Sequence, residues 1–199
     1  MQVKELAVEG AFAFTPTVYP DDRGVFVSPF QEPAFVEATG HRHSVAQTNL
    51  NVSARDVIRG IHFTRTPPGQ SKYVYCVRGR ALDVVVDLRL GSPTFGRFDA
   101  VELDDRGFAA MYFPVGVGHT FLALEDRTTM SYVVTSFYNA ANELSVNPLD
   151  PELGLPWPKD RRFRLSDRDT AAPTLAEARD LGLLPAYADC VPARPAAAR

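Results

Sequence analysis

The chain has 199 residues, enough for one domain whose hydrophobic core needs no disulfide or metal staple. Its 21 Lys and Arg against 24 Asp and Glu leave a net charge of -3, which is not the electrostatic footprint of a nucleic-acid binder. Cys76 and Cys190 stand far apart without a metal or redox spacing, the N-terminus lacks the apolar core of a signal peptide, and no window approaches the ~20 apolar residues of a membrane span. A soluble, unprocessed, cytoplasmic protein with no nucleic-acid or membrane partner is expected.

In chain order, an apolar run over residues 10–18 is followed by the turn signal Tyr19-Pro20-Asp21-Asp22-Arg23-Gly24 and a second run over 25–30. Pro33 and Gly40 frame a short helix over 33–39. Strand patterns then crowd together over 44–52, 57–63, 72–78, 81–88, 97–103, 109–113, 120–124 and 130–137, separated by Gly- and Asp-rich turns. Short, frequent strands without βαβ alternation predict a mainly β sandwich or barrel. Pro-rich connections follow, then a helix over 175–181, and residues 191–199 read as a disordered small-residue tail beyond a single domain over 1–190.

Two strand segments carry polar groups that need a reason. In Val57-Ile58-Arg59-Gly60-Ile61-His62-Phe63 a β-branched strand holds a cation, a glycine and an imidazole. His62 is either a core histidine bonded to a carbonyl or a base available near neutral pH. Strict alternation puts Arg59 and His62 on opposite faces; either a bulge or twist at Gly60 brings both to one site, or Arg59 reaches a phosphate at the strand end. In Leu82-Asp83-Val84-Val85-Val86-Asp87-Leu88 the even members share one face, and the carboxylates of Asp83 and Asp87 are expected on a solvent face.

The chain has no Gly-rich phosphate loop, no Gly-x-Ser-x-Gly and no Cys beside a His. His62, His119, Lys72, Tyr132, Tyr138, Arg59, Arg23 and the pair Asp167/Asp169 remain. Such a set suits proton transfer beside a carbonyl, with a base, a cation for the enolate and a phenol to return a proton, although strand tyrosines and an edge lysine also have ordinary structural uses.

The blocks Arg59-Gly60-Ile61-His62-Phe63, Pro67 through Val74, Arg78-Gly79, Gly91 through Gly96, Phe113 through Phe121, Tyr132, Tyr138, Asp150-Pro151, Trp157-Pro158 and Leu165-Ser166-Asp167-Arg168-Asp169 follow in order over about residues 6–173. In these the chain resembles the dTDP-4-dehydrorhamnose 3,5-epimerase family. The resemblance implies a cupin-type jelly-roll β-barrel with a few short peripheral helices, a homodimer, and action on dTDP-linked 4-keto-6-deoxyhexoses without metal or organic cofactor. It further implies His62 as proton acceptor paired with Asp169, Tyr132 as proton donor and Lys72 at the C4 oxygen. Arg23, Gln47, Asn49, Arg59, His119, Glu143 and Arg168 fall where the family contacts the nucleotide sugar, and Tyr138 where it stacks on thymine.

The chain departs from the family pattern at Ser28, Thr64, Asn147-Pro148-Leu149 and Arg168, the last replacing a lysine with a different donor geometry. Its ending, residues 175–187, looks like that of antibiotic deoxysugar epimerases, and the expected inversion is at C5, alone or with C3, with C3 alone as the alternative. Two readings compete. A metal-dependent cupin would need His41-x-His43, which sits in a polar stretch expected to be a solvated turn. A non-catalytic sugar-binding cupin would have no need of His62, Lys72 and Tyr132 together.

Overall fold

A computed structural model describes residues 1–190, and the tail expected over 191–199 lies outside the described residues. In chain order the elements are β1 (Gln2–Glu5), β2 (Phe12–Thr15), β3 (Val18–Asp21), β4 (Gly24–Val27), α1 (Glu32–Thr39), β5 (Gln47–Ser53), β6 (Ile58–Thr64), β7 (Lys72–Arg78) and β8 (Arg80–Asp87). Then come β9 (Phe98–Asp104), β10 (Ala110–Phe113), β11 (Val117–Ala123), β12 (Thr128–Val134), β13 (Glu143–Ser145), α2 (Asp167–Thr170), α3 (Leu175–Asp180) and α4 (Tyr187–Cys190). The apolar run expected over 10–18 is split at Pro16, which cannot donate to a sheet ladder, so β2 and β3 belong to different sheets.

The strands form a six-stranded sheet, β1-β2-β10-β7-β12-β5, a five-stranded sheet, β13-β6-β11-β8-β9, and the separate hairpin β3-β4. Among the described residues neither large sheet closes. The ladders stop at β1 and β5 in one and at β13 and β9 in the other, which corrects the expected jelly-roll barrel to two open sheets with peripheral helices. Strand spacing and turn chemistry count strands, whereas closure requires the outer strands to pair, and here they do not.

Alternation sends every second side chain between the sheets. Val74 and Cys76 of β7, Met111 and Phe113 of β10 and Met130 of β12 meet Val85 of β8 and Val117, Phe121 and Ala123 of β11 in one buried cluster. The outer faces are covered too. Phe35 of α1 seals Phe14, Tyr73 and Tyr112 on the six-stranded sheet, and the chain beyond β13 lays Val146, Leu153, Ala178 and Leu184 over Ile61, Phe63, Val84 and Val86 on the other. Pro33 near the start of α1 and Gly40 at its end, with φ +77°, bound that helix as expected.

Covering both faces of β8 overturns the expected exposure of its carboxylates: Asp83 and Asp87 are both fully buried. Arg89, itself 2% exposed, grips Asp87 with two hydrogen bonds of 2.8 Å, and Ser92 and Thr94 also donate to it. Burial alone would raise the Asp87 carboxyl, but these donors outweigh it and hold it below the usual carboxylate range. His43 likewise is not in a solvated turn. It is buried among Phe35, Tyr73 and Tyr112 and bonds the Val133 carbonyl at 3.1 Å, while His41 alone is exposed.

Candidate active site

Toward one end of the sandwich the interlayer turns polar. Along β7 the inward positions run from Cys76 and Val74 to Lys72, along β12 from Met130 to Tyr132, and along β11 from Phe121 to His119. They enclose a cavity of about 230 Å³ that is also lined by Asn49, Leu50 and Asn51 of β5, Arg59 and His62 of β6, Gln70, Val134, Tyr138 and Glu143. Most of these groups are polar and come from both sheets.

Arg59 and His62 reach this cavity together because β6 is irregular at Gly60. The β6–β11 ladder pairs His62 with His119 and Arg59 with Phe121, so two β6 residues stand opposite Thr120 alone. Gly60 has φ +123°, a conformation that side chains rarely adopt, and a Cβ there would lie 2.6 Å from the Thr120 Cβ. The extra residue restores Arg59 to the cavity side and leaves Ile61 on the outer face, where its amide bonds the Val146 carbonyl. Arg59 is steadied by Ser53 Oγ, which accepts from Nε at 3.0 Å.

His62 Nε2 lies 2.6 Å from Asp169 Oδ1, across 107 residues of sequence. Asp169 sits in the first turn of α2, whose start is capped by Ser166 Oγ accepting from the Asp169 amide at 3.1 Å. Burial would raise the Asp169 carboxyl, but hydrogen bonds and attraction from His62, with help from Ser166 and the Gly60 amide, bring it below its usual range. An ionised Asp169 therefore accepts from Nε2–H, which leaves Nδ1 of a neutral His62 to carry the free lone pair.

A second pair stands deeper. His119 Nε2 is 2.6 Å from Asp83 Oδ1, with the imidazole stacked on Phe113 at 4.8 Å and edge-on to Tyr132 at 5.8 Å. Burial raises the Asp83 carboxyl, and attraction from His119 offsets this in part. Tyr132 Oη accepts a hydrogen bond from Asn51 Nδ2 at 3.0 Å. Burial, and then the Asp83 charge, push its ionisation well above the ordinary phenol range, so it stays protonated. Lys72 is 9% exposed, and burial pulls its ammonium below the usual lysine value; Glu143 attracts the charge and Arg168 repels it.

Of the residues singled out in the sequence, His62, Tyr132, Lys72, Asn49, Arg59, His119, Tyr138 and Glu143 line the cavity and Asp169 backs it. Gln47 stands beside it, donating to Asn49 Oδ1 at 2.6 Å and accepting from the Tyr138 amide. Arg168 lines an adjoining groove of about 340 Å³ that shares Arg59 and His62. Arg23 is not brought to the cavity within this chain: it is exposed on the β3-β4 hairpin and paired with Asp21 at 2.6 Å. Sequence reasoning passed over Asn51 and put Asp83 on a solvent face. The first shares the alternating face of Gln47, Asn49 and Ser53, and the second shares that of Val85, so period 2 marked both positions.

Among the described residues no group of three or more His, Cys, Asp or Glu is placed to hold a metal ion, and no helix is long and apolar enough to cross a membrane.

Comparison with known proteins converges on one family. The family model described as dTDP-4-dehydrorhamnose 3,5-epimerase matches residues 5–177. The chain is 48% identical over 190 residues to a dTDP-4-dehydrorhamnose 3,5-epimerase of Mycolicibacterium smegmatis, covering 96% of this chain and 94% of that protein. It is 52% identical over 182 residues to a dTDP-4-dehydro-6-deoxyglucose 3-epimerase of Streptomyces bikiniensis, covering 92% and 93%. Its fold superposes with a TM-score of 0.93, at 49% identity and 96% coverage of both chains, on NovW, a 4-keto-6-deoxy sugar epimerase from the novobiocin biosynthetic gene cluster of Streptomyces spheroides. The chain belongs to the dTDP-4-dehydrorhamnose 3,5-epimerase family.

Proposed function

We propose that this protein epimerises dTDP-4-keto-6-deoxyhexoses in deoxysugar biosynthesis, without an organic cofactor, by moving protons on carbons next to the C4 ketone. The observation that carries the reading is the 2.6 Å His62–Asp169 pair on one sheet's side of a cavity whose other wall presents Tyr132 and Lys72. His62 removes the α-hydrogen, assisted by Asp169, which fixes the ring and favours the imidazolium that forms. Lys72 stabilises the enolate oxygen at C4, and Tyr132 delivers a proton to the other face of the same carbon. Arg59, Arg168, Gln47, Asn49, His119 and Glu143 bind the nucleotide sugar, and Tyr138, 63% exposed at the cavity mouth, stacks on thymine.

Both named relatives act at C3, so of the two forms of the expected inversion, C5 alone or C5 with C3, the second is carried forward. Inversion at C3 alone is the second reading, favoured by the 52% identity to a 3-epimerase. Incubation with dTDP-4-keto-6-deoxyglucose in heavy water, followed by proton NMR, separates them. Deuterium at both C3 and C5 supports the first and deuterium confined to C3 the second. No exchange at either carbon contradicts the function itself.

We also propose a homodimer. The hairpin exposes Tyr19, Val25 and Phe26 at 58–67%, and the edge strand β5 exposes Leu50, which lines the cavity, at 69%. A second copy seated there would cover this apolar surface and could bring its own Arg23 to the substrate.

A further inference from the structure

A tyrosine that gives a proton to carbon must aim it. Tyr132 Oη carries one hydrogen and two acceptor lone pairs, and the bond from Asn51 Nδ2 at 3.0 Å takes one of those lone pairs. With a donor facing it there, the phenolic hydrogen cannot point back into the β5–β12 ladder, where Tyr132 pairs with Asn49 and Met130 with Asn51. It turns toward the cavity that both side chains line. The other end of the Asn51 amide is an orphan: Oδ1 is buried without a hydrogen-bond partner. A buried unsatisfied acceptor costs stability, and beside a reactive phenol it marks a side chain held for the sake of its other end.

We propose that Asn51 is a positioning residue for Tyr132, holding the phenol oxygen through its Nδ2–H so that the phenolic hydrogen faces the sugar carbon and the resulting phenolate is stabilised. The inference rests on the epimerase reading and deepens it. Once His62 has taken the α-hydrogen, the electron pair of that C–H bond lies in the enolate. Reprotonation uses this pair to form a C–H bond on the opposite face while the Tyr132 O–H bond breaks, its own pair remaining on oxygen. Asn51 then donates to an anion, and a hydrogen bond to a charged oxygen is about twice as strong as one to a neutral oxygen. Water finally returns a proton to Tyr132 and takes one from His62. Asn51 is also the group that offsets burial and the Asp83 charge most strongly at the phenol, ahead of Arg59.

The test compares Asn51→Ala and the nearly isosteric Asn51→Asp with the wild type and Tyr132→Phe, using dTDP-4-keto-6-deoxyglucose in heavy water. Abstraction and return on the His62 face report as deuterium exchange with retained configuration, and transfer from Tyr132 reports as inversion. The expected result is that both Asn51 variants, like Tyr132→Phe, lose inversion by about tenfold or more relative to exchange. Asn51→Asp preserves the shape, so a folding defect in the alanine variant does not obscure the result. An unchanged ratio of inversion to exchange in folded variants, with Tyr132→Phe altered, overturns this inference alone. A wild-type chain that exchanges nothing overturns the epimerase reading and this inference with it.

Discussion

His62 and Asp169 are held at 2.6 Å by a strand and a helix separated by most of the chain, and each needs the other. The buried carboxylate needs a donor, and the imidazole needs a fixed tautomer. Lys72 is constrained in a different way. It is only 9% exposed at the end of β7, and its ammonium is drawn below the usual lysine value by a desolvation cost that Glu143 offsets in part. A cation held in that state interacts most strongly with an oxygen whose charge grows during the reaction, so Lys72→Ala should lower turnover by about 100-fold or more and change the Michaelis constant far less. Steady-state kinetics read this directly: an unchanged turnover number with a raised Michaelis constant would remove Lys72 from the chemistry. Rising pH should act in the same direction, because loss of the Lys72 proton begins below the ordinary lysine value.

The element that assembles the site is β6, and within it the bulge at Gly60. An alanine there would need φ +123° and would drive its Cβ against Thr120. Gly60→Ala should therefore destabilise the fold by about 1–3 kcal/mol in denaturant unfolding and reduce activity more than that loss explains, because Arg59 and His62 shift together. Wild-type stability and turnover in this variant would show that the bulge is incidental. Eight strands between β5 and β12 lie within three residues of the sequence expectation at either end, because alternation and turn residues are local signals. The clash between Arg59 and His62 on one alternating strand was also legible, and it pointed to Gly60. Asp83 was not. Its valine-flanked position resembles the solvent face of a half-buried strand, whereas that face, shared with Val85, lies between the sheets, and it is the opposite face of Val84 and Val86 that residues beyond β13 cover. The tie between His62 and Asp169 was reached through family motifs, since no local pattern links residues 107 apart.

At the scale of the molecule, two open sheets share one interlayer in which apolar packing passes into a polar cavity near the exposed edge strand β5. An open edge and an apolar hairpin are surfaces that water disfavours, which is the physical case for a second copy. Light scattering should give a mass about twice the 21.9 kDa of the chain, and Arg23→Ala should raise the Michaelis constant although Arg23 is outside the cavity of its own chain. A monomer at micromolar concentration, or an Arg23→Ala variant with unaltered kinetics, would contradict the proposed role of the second copy. The central claim is that His62 is the base. The most direct measurement is deuterium incorporation from heavy water into dTDP-4-keto-6-deoxyglucose by wild type and His62→Asn, with binding of the same nucleotide sugar followed by calorimetry. His62→Asn should bind comparably and exchange at least about 100-fold more slowly at every carbon. Exchange by His62→Asn at a rate near that of the wild type would contradict the account.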